Sequence, residues 1–249
     1  MDRRSFLSLL ALAALVHTAT GPAASQPLVA DLSSHLVAIT TGFAGTQVLL
    51  FGAIEEEGDV VVLVRGPGTD TVVRRKGRFW GLWVNREELA FAGVPAFYAV
   101  ASSRPLDQIA PPTVRARHQL GVDRLRLSPL DPAGTGEIAA FRDALIRQKQ
   151  ESRLFVAEVG RVSFLGQRLF RTPLDFPSNL PTGTYSVEVL LLRGGEVVAA
   201  QTTPLIVSKD GFSAEVYDFA HDHSALYGLL AVVLGTLAGW LGGVVFRRA

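Results

Sequence analysis

Apolar residues in most of this chain follow a period of two. Short runs of Val, Ile, Leu, Phe and Tyr are cut by Gly and Pro, which is typical of β-strands rather than of amphipathic helices. The pattern predicts strands at Val37–Thr41, Gln47–Ala53, Val60–Arg65, Phe79–Asn85, Ala96–Ala101, Ser186–Leu192 and Val197–Val207.

Clusters of turn residues predict how these strands connect. The polar segment Glu55–Asp59 should join its two flanking strands as a hairpin, and Gly194-Gly195 should do the same further along the chain. Gly66–Asp70 is also rich in Gly and Pro, but it lacks the spacing of a dinucleotide-binding or Walker loop. We therefore interpret it as a structural turn.

The segment that enters the later hairpin has a distinctive order, Pro181-Thr182-Gly183-Thr184-Tyr185. It resembles the tyrosine corner of immunoglobulin-like and fibronectin-like sandwiches, in which a Tyr hydroxyl bonds nearby backbone. Alternation along the following strand places four residues on one face, which we expect in the core: Tyr185, Val187, Val189 and Leu191.

One stretch between the strand-rich regions has helical spacing instead. Apolar residues from Ile138 to Leu145 recur at intervals of three and four, and Thr135 is placed to cap a helix that runs to about Gln150. Pro and Gly before this helix are typical of a linker. The chain is thus predicted to be mainly β, with two immunoglobulin-like β-sandwich units (26–104 and 153–210) and a linker with one helix (105–152). One continuous larger β domain is the alternative.

The C-terminal stretch Ala225–Phe246 contains no charged residue. At 1.5 Å per residue its helix reaches about 33 Å, enough to cross a hydrocarbon core of about 30 Å. Arg247 and Arg248 follow at once, and such basic flanks stay in the cytoplasm. We therefore predict one transmembrane helix (225–246), a juxtamembrane segment before it (211–224) and a cytoplasmic tail (247–249).

The N-terminus is consistent with that topology. A basic start at Arg3-Arg4, an apolar run from Phe6 to Val16 and small residues at Ala23 and Ser25 have the three-part order of a secretory signal. We expect a signal peptide at 1–25, with either ordinary or twin-arginine export; an uncleaved anchor is the alternative. The main domain would then lie in the periplasm of a bacterium, held at the inner membrane.

Composition excludes several functions. The chain has 24 Lys and Arg against 23 Asp and Glu, and a nearly neutral protein lacks the basic footprint that nucleic-acid binding needs. It has no Cys, which excludes thiolate catalysis, cysteine zinc sites and covalent haem attachment.

Several short stretches occur in a characteristic order along the chain. They are Trp83-Val84-Asn85, Val94-Pro95-Ala96-Phe97-Tyr98, Leu169-Phe170-Arg171, Leu180–Tyr185, Tyr227-Gly228, Gly239-Trp240 and Phe246-Arg247-Arg248. Taken in this order, they resemble an alphaproteobacterial transmembrane protein family over about Leu28 to Arg248. The resemblance implies a signal, an exported β-rich part and one anchor, and it suggests a partner among exporters of sulfite or organosulfur anions.

Two polar clusters are candidate binding sites. Arg74, Arg75, Lys76 and Arg78 could bind an anion, a partner or lipid head groups; the alternative is a basic hairpin tip beside strand aromatics. His221 and His223, close to Asp218 and Asp222, offer ligands that suit Zn or Cu. Their alternative is a solvated polar collar at the membrane.

The predicted span carries glycines in register at Gly235, Gly239 and Gly243. Small residues at this spacing let two helices approach closely, so we predict a partner helix from a second copy or from another membrane protein; glycine enrichment common to spans is the alternative.

No motif indicates a catalytic constellation or a cofactor. We therefore expect a non-catalytic, membrane-anchored accessory module in the periplasm, with an anion or sulfur-compound transporter as a candidate partner. A periplasmic ligand- or metal-binding protein is the alternative.

Overall fold

The computed structural model describes residues 27–80, 82–130, 134–209 and 220–246. The predicted signal, most of the juxtamembrane segment and the tail lie outside these ranges. The strands are β1 Leu28–Leu32, β2 Leu36–Ile39, β3 Gly45–Ile54, β4 Asp59–Arg65, β5 Gly68–Phe79, β6 Leu82–Pro95, β7 Tyr98–Ser102, β8 Ser128–Pro129, β9 Gly160–Arg161, β10 Ser163–Leu165, β11 Leu169–Pro177, β12 Gly183–Arg193 and β13 Glu196–Lys209. The α-helices are α1 Leu106–Ile109, α2 Pro112–His118, α3 Thr135–Glu151 and α4 Ser224–Phe246, with a 3₁₀ turn at Val122–Arg124.

These strands form three sheets. Sheet A has the order β1-β3-β11-β10, and sheet B has the order β2-β13-β12-β4-β7-β9. The third sheet is a long antiparallel ribbon of β5 and β6 with the short β8 at its edge. In sheet B the pairs β2–β13 and β7–β9 are parallel.

Sheets A and B pack face to face around the first hydrophobic core. Sheet A contributes side chains such as Leu50 and Phe170, and sheet B contributes Val62, Tyr185 and Val189. Alternation along each strand explains this layer, since every second side chain of β3 and β11 points toward sheet B.

A second core lies on the opposite face of sheet B. Val61, Leu63 and Leu190 of that sheet meet Phe91 of the ribbon and Phe141 of α3 in one cluster. Sheet B is therefore covered on both faces, and the domain has three layers: sheet A, sheet B, and the helices with the ribbon.

The mainly β class is confirmed, but the strand pairings contradict two successive sandwich units. Sheet A pairs β3 with β11, and sheet B pairs β4 with β12, so each sheet takes strands from both predicted units. The immunoglobulin-like detail is not confirmed. The strands instead interleave in one larger β domain, the alternative considered above.

Two local predictions were also wrong. The strands on either side of Glu55–Asp59 do not form a hairpin, because β3 lies in sheet A and β4 lies in sheet B. The predicted strand Phe79–Asn85 straddles the end of the ribbon, where Trp80 separates β5 from β6.

The second predicted hairpin is confirmed. β12 and β13 pair antiparallel from Gly183↔Val207 to Arg193↔Glu196, and Gly194 and Gly195 turn the chain with φ of 56° and 85°. The Tyr185 hydroxyl donates a hydrogen bond to the Pro181 carbonyl at 2.6 Å, as the corner predicts. All four side chains of the predicted core face are buried.

The region predicted as a linker with one helix holds more structure than expected. The long helix is confirmed, although its N-cap is Gly134 rather than Thr135. The segment before it adds the short helices α1 and α2, which contribute Ile109 and Val114 to the second core. It therefore belongs to the third layer of the domain.

Helix α4 coincides with the predicted span. Its window Ser224–Leu241 is long and apolar enough to cross a membrane, and none of it is buried by the described part of the chain.

Candidate functional site

The surface most suited to contact with another molecule is the solvent-facing side of sheet A, which we call the outer face. It exposes the apolar side chains Val29 of β1, Leu49 and Phe51 of β3, Leu165 of β10 and Leu169 of β11. Each of these side chains is 37–55 % exposed. They line a shallow depression of about 440 Å³.

Strand register makes these residues one continuous patch. Val29 lies opposite Ala53, Ala53 lies opposite Leu169, and Leu169 lies opposite Leu165, so one row crosses all four strands. The next row places Phe51 between Asp31 and Arg171. Contiguous exposed apolar surface of this kind marks an interaction site more often than isolated exposed residues do.

Charged side chains of the outer face lie beside its apolar row, in the row of Phe51 and further along β11 at Asp175. Asp31 and Arg171 lie on opposite sides of Phe51, and Asp31 accepts a 2.9 Å contact from His35 Nε2. An apolar centre with polar groups beside it has the composition of a protein–protein interface. The face can therefore bury a partner's apolar side chains and orient that partner by charge.

The predicted basic cluster lies along β5 of the ribbon, not at a simple tip. Arg74 pairs with Glu88 at 3.0 Å, and Arg75 pairs with Glu87 at 2.8 Å across the two strands. Arg75 also stacks on the Phe141 ring, 4.9 Å from its centroid. Two of the predicted anion-binding cations are therefore compensated within the chain.

Sequence reasoning missed Glu87 and Glu88 as partners of these arginines. The signal that could have found them is the register of a hairpin centred on Trp80, which brings β6 opposite β5. Lys76 and Arg78 lie nearer the end of the ribbon, opposite Asn85 and Trp83. Trp80 itself is 92 % exposed there.

The predicted metal ligands lie just before the candidate membrane span α4. His221 is helical, and His223 is in the turn that precedes α4. No group of three or more His, Asp or Glu side chains that could hold a metal occurs within the described parts of the chain. Asp218, which the prediction included, lies outside them.

Among the residues that the structure describes, none covers the glycine face of α4. A Cβ atom built at Gly235, Gly239 or Gly243 would meet no atom within 4 Å beyond the helix's own backbone. The groove that these glycines form is thus available to a second helix.

Two buried tyrosines, Tyr98 and Tyr185, have structural roles. The Tyr98 hydroxyl donates to the Gln119 carbonyl at 2.5 Å and accepts the Gly121 N–H at 2.9 Å. Burial raises the pKa of Tyr98 to about 12 and also raises the pKa of Tyr185. Both hydroxyls are therefore neutral hydrogen-bonding groups at physiological pH.

The fold and the candidate site define a β-rich domain with an exposed apolar sheet face, followed by one candidate membrane span. A family model described as "Putative transmembrane protein (Alph_Pro_TM)" matches residues 27–248, and the chain belongs to this family. The predicted resemblance is thereby confirmed. A search of curated proteins found no match.

Proposed function

We propose that this chain is a non-catalytic accessory module in the periplasm, held at the inner membrane by α4, that binds a membrane protein through its outer face. The observation that carries the proposal is the continuous apolar patch on sheet A, from Val29 to Leu165. Arg247-Arg248 after the span favours a cytoplasmic C-terminus and hence a periplasmic domain.

The anchor supports a membrane-bound partner. A tethered domain meets proteins in the same membrane at a high effective concentration, so a modest patch is sufficient for a stable contact. The open face of Gly235, Gly239 and Gly243 can add a helix–helix contact with the same partner. An anion or sulfur-compound transporter, which the family resemblance suggests, is our candidate.

Self-association is the second candidate, and the charged row of the outer face favours it. Asp31 and Arg171 lie on opposite sides of Phe51. If a second copy packed face to face about a two-fold axis parallel to β3, each Asp31 would meet the other copy's Arg171. The same symmetry would bring the two Phe51 rings together.

Photo-crosslinking from the outer face tests the proposal. A photoreactive phenylalanine analogue replaces Phe51 in the full chain in its native membrane, and the matched control carries it at Val198, an exposed position on β13. We expect an adduct from position 51, identified by mass spectrometry as a transport protein, and little adduct from position 198. Gly239→Leu should reduce the yield of the adduct from position 51, because the larger side chain separates two helices whose contact is worth on the order of 1 kcal/mol.

Each other outcome decides between the candidates. An adduct of twice the mass of the chain supports self-association and contradicts the transporter. Equal adducts from both positions, or none from position 51, contradict the outer face as a docking surface.

A further inference from the structure

A pocket of about 660 Å³ lies at the β7–β9 edge of sheet B. The end of β7, the turn that follows it, α1, one side chain of α2 and strand β9 all line it. Three of the lining residues are arginines, namely Arg104, Arg115 and Arg161, whereas Asp107 is the one acidic residue among them.

Arg104 is held in place as one wall of the pocket. Its Nε donates to Asp59 Oδ1 at 2.8 Å, and Ser103 Oγ donates to the same oxygen at 3.1 Å. The hydrogen bond from Arg104 lowers the pKa of Asp59, so Asp59 stays ionised and compensates Arg104. The excess positive charge of the pocket therefore comes from the other two arginines, against the single carboxylate of Asp107.

Arg115 is the least satisfied of the three. Its Nε is buried and has no hydrogen-bond partner among the residues that the structure describes. Arginine cannot give up its proton at physiological pH, and a buried N–H donor without an acceptor is costly. An acceptor that enters the pocket would remove this cost.

Arg161 reaches the same pocket from a fixed strand. β9 pairs with β7 through Ser102↔Arg161, and the Arg161 carbonyl accepts a hydrogen bond from Thr172 Oγ1 at 3.0 Å. Its backbone is thus anchored, while its exposed side chain has no ion pair within the described part of the chain.

We propose that this pocket binds a small oxyanion, a free carboxylate, sulfonate or phosphate, between Arg115 and Arg161. Planar guanidinium groups match two oxygens of such an anion with paired hydrogen bonds, and they keep their charge when partly buried. The size and concave shape of the pocket favour a small molecule over a flat protein surface. The site lies outside the predicted basic cluster and does not depend on docking at the outer face.

Calorimetric titration of the full chain in detergent tests the site. Inorganic phosphate and sulfate are the probes, in chloride buffer at constant ionic strength. We expect saturable binding of one anion per chain by at least one probe. Arg115→Gln and Arg161→Gln should each weaken anion binding tenfold or more. Arg115→Lys should restore only part of the lost affinity, because lysine keeps the charge but lacks the paired N–H donors of the guanidinium group. Arg117→Gln, on the exposed side of the same helix, should leave affinity unchanged.

Several results would overturn the site. These are no saturable binding of either anion, equal weakening by Arg117→Gln, or unchanged affinity in both Arg115→Gln and Arg161→Gln. If Arg115→Gln lowers the melting temperature, the exposed Arg161→Gln variant decides the question alone.

Discussion

Strands β3 and β4 look alike in sequence but differ in what covers them. β4 reads Val-Val-Val-Leu-Val from Val60 to Val64, and β3 reads Val-Leu-Leu-Phe from Val48 to Phe51. Both are central strands, between β7 and β12 in sheet B and between β1 and β11 in sheet A. Every residue of the β4 run is at most 1 % exposed, whereas Leu49 and Phe51 of β3 remain open.

The difference lies in the third layer of the domain. One face of β4 packs on sheet A, and its other face packs on the helices and the ribbon. β3 has an inner face like that of β4, but no described element covers its outer face. A strand with apolar residues on both faces is normally packed against other elements on both faces. Because no described element packs on the outer face of β3, we infer that another molecule does so.

Truncation of Leu63 on β4 should lower the stability of the domain more than any change on the outer face of β3. Leu63→Ala removes a fully buried side chain of β4 and should lower the free energy of unfolding by about 2–5 kcal/mol. Leu49→Ala makes the same chemical change on the half-covered β3 and should cost less than about 1 kcal/mol. Urea titrations of the full chain in detergent measure both; equal losses would show that the outer face is covered within the chain.

Removal of the Tyr98 hydroxyl should have the next largest effect on stability. This hydroxyl connects β7 of sheet B to the segment that follows α2 in the third layer. Tyr98→Phe leaves the partly buried Gln119 carbonyl and Gly121 N–H without this partner and should cost about 1–3 kcal/mol.

The raised pKa of Tyr98 predicts that the domain loses stability at alkaline pH. Since folding raises the pKa of Tyr98 from 10.0 to about 12, its stabilisation is complete below pH 10 and is lost as the pH rises toward 12. Melting temperatures between pH 8 and pH 12 should therefore fall less steeply in Tyr98→Phe than in the native chain. Parallel curves would contradict a buried, neutral Tyr98.

Turn residues in the sequence predicted correctly only one pair of strands that are neighbours in the chain. Gly194-Gly195 specifies a tight turn, and β12 and β13 duly pair. Glu55–Asp59 is equally turn-like, yet β3 and β4 separate into different sheets. Turn residues determine that a chain reverses, not which strands will pair, and β3 finds its partner β11 more than a hundred residues away.

The candidate sites follow the same rule. The basic run from Arg74 to Arg78 was visible in the sequence, but the pairing of Arg74 with Glu88 and of Arg75 with Glu87 depends on strand register. The outer face and the arginine pocket were not predicted, because each is assembled from segments far apart in the chain. The glycine face of α4 could be located from the sequence, since a single helix contains it; its role in helix packing stays a prediction.

Substitution of Phe51 should have the smallest effect on stability and a large effect on association. Phe51→Thr replaces one residue of high β-propensity with another on β3 and removes the aromatic centre of the outer face, so the free energy of unfolding should change by no more than about 0.5 kcal/mol. The partner complex, measured by chromatography after mild detergent extraction, should be lost, whereas the control Val198→Thr should retain it. If Phe51→Thr instead costs more than about 1 kcal/mol, the face belongs to this chain's own core. If the complex persists, the partner binds elsewhere, and the apolar row across sheet A needs another explanation.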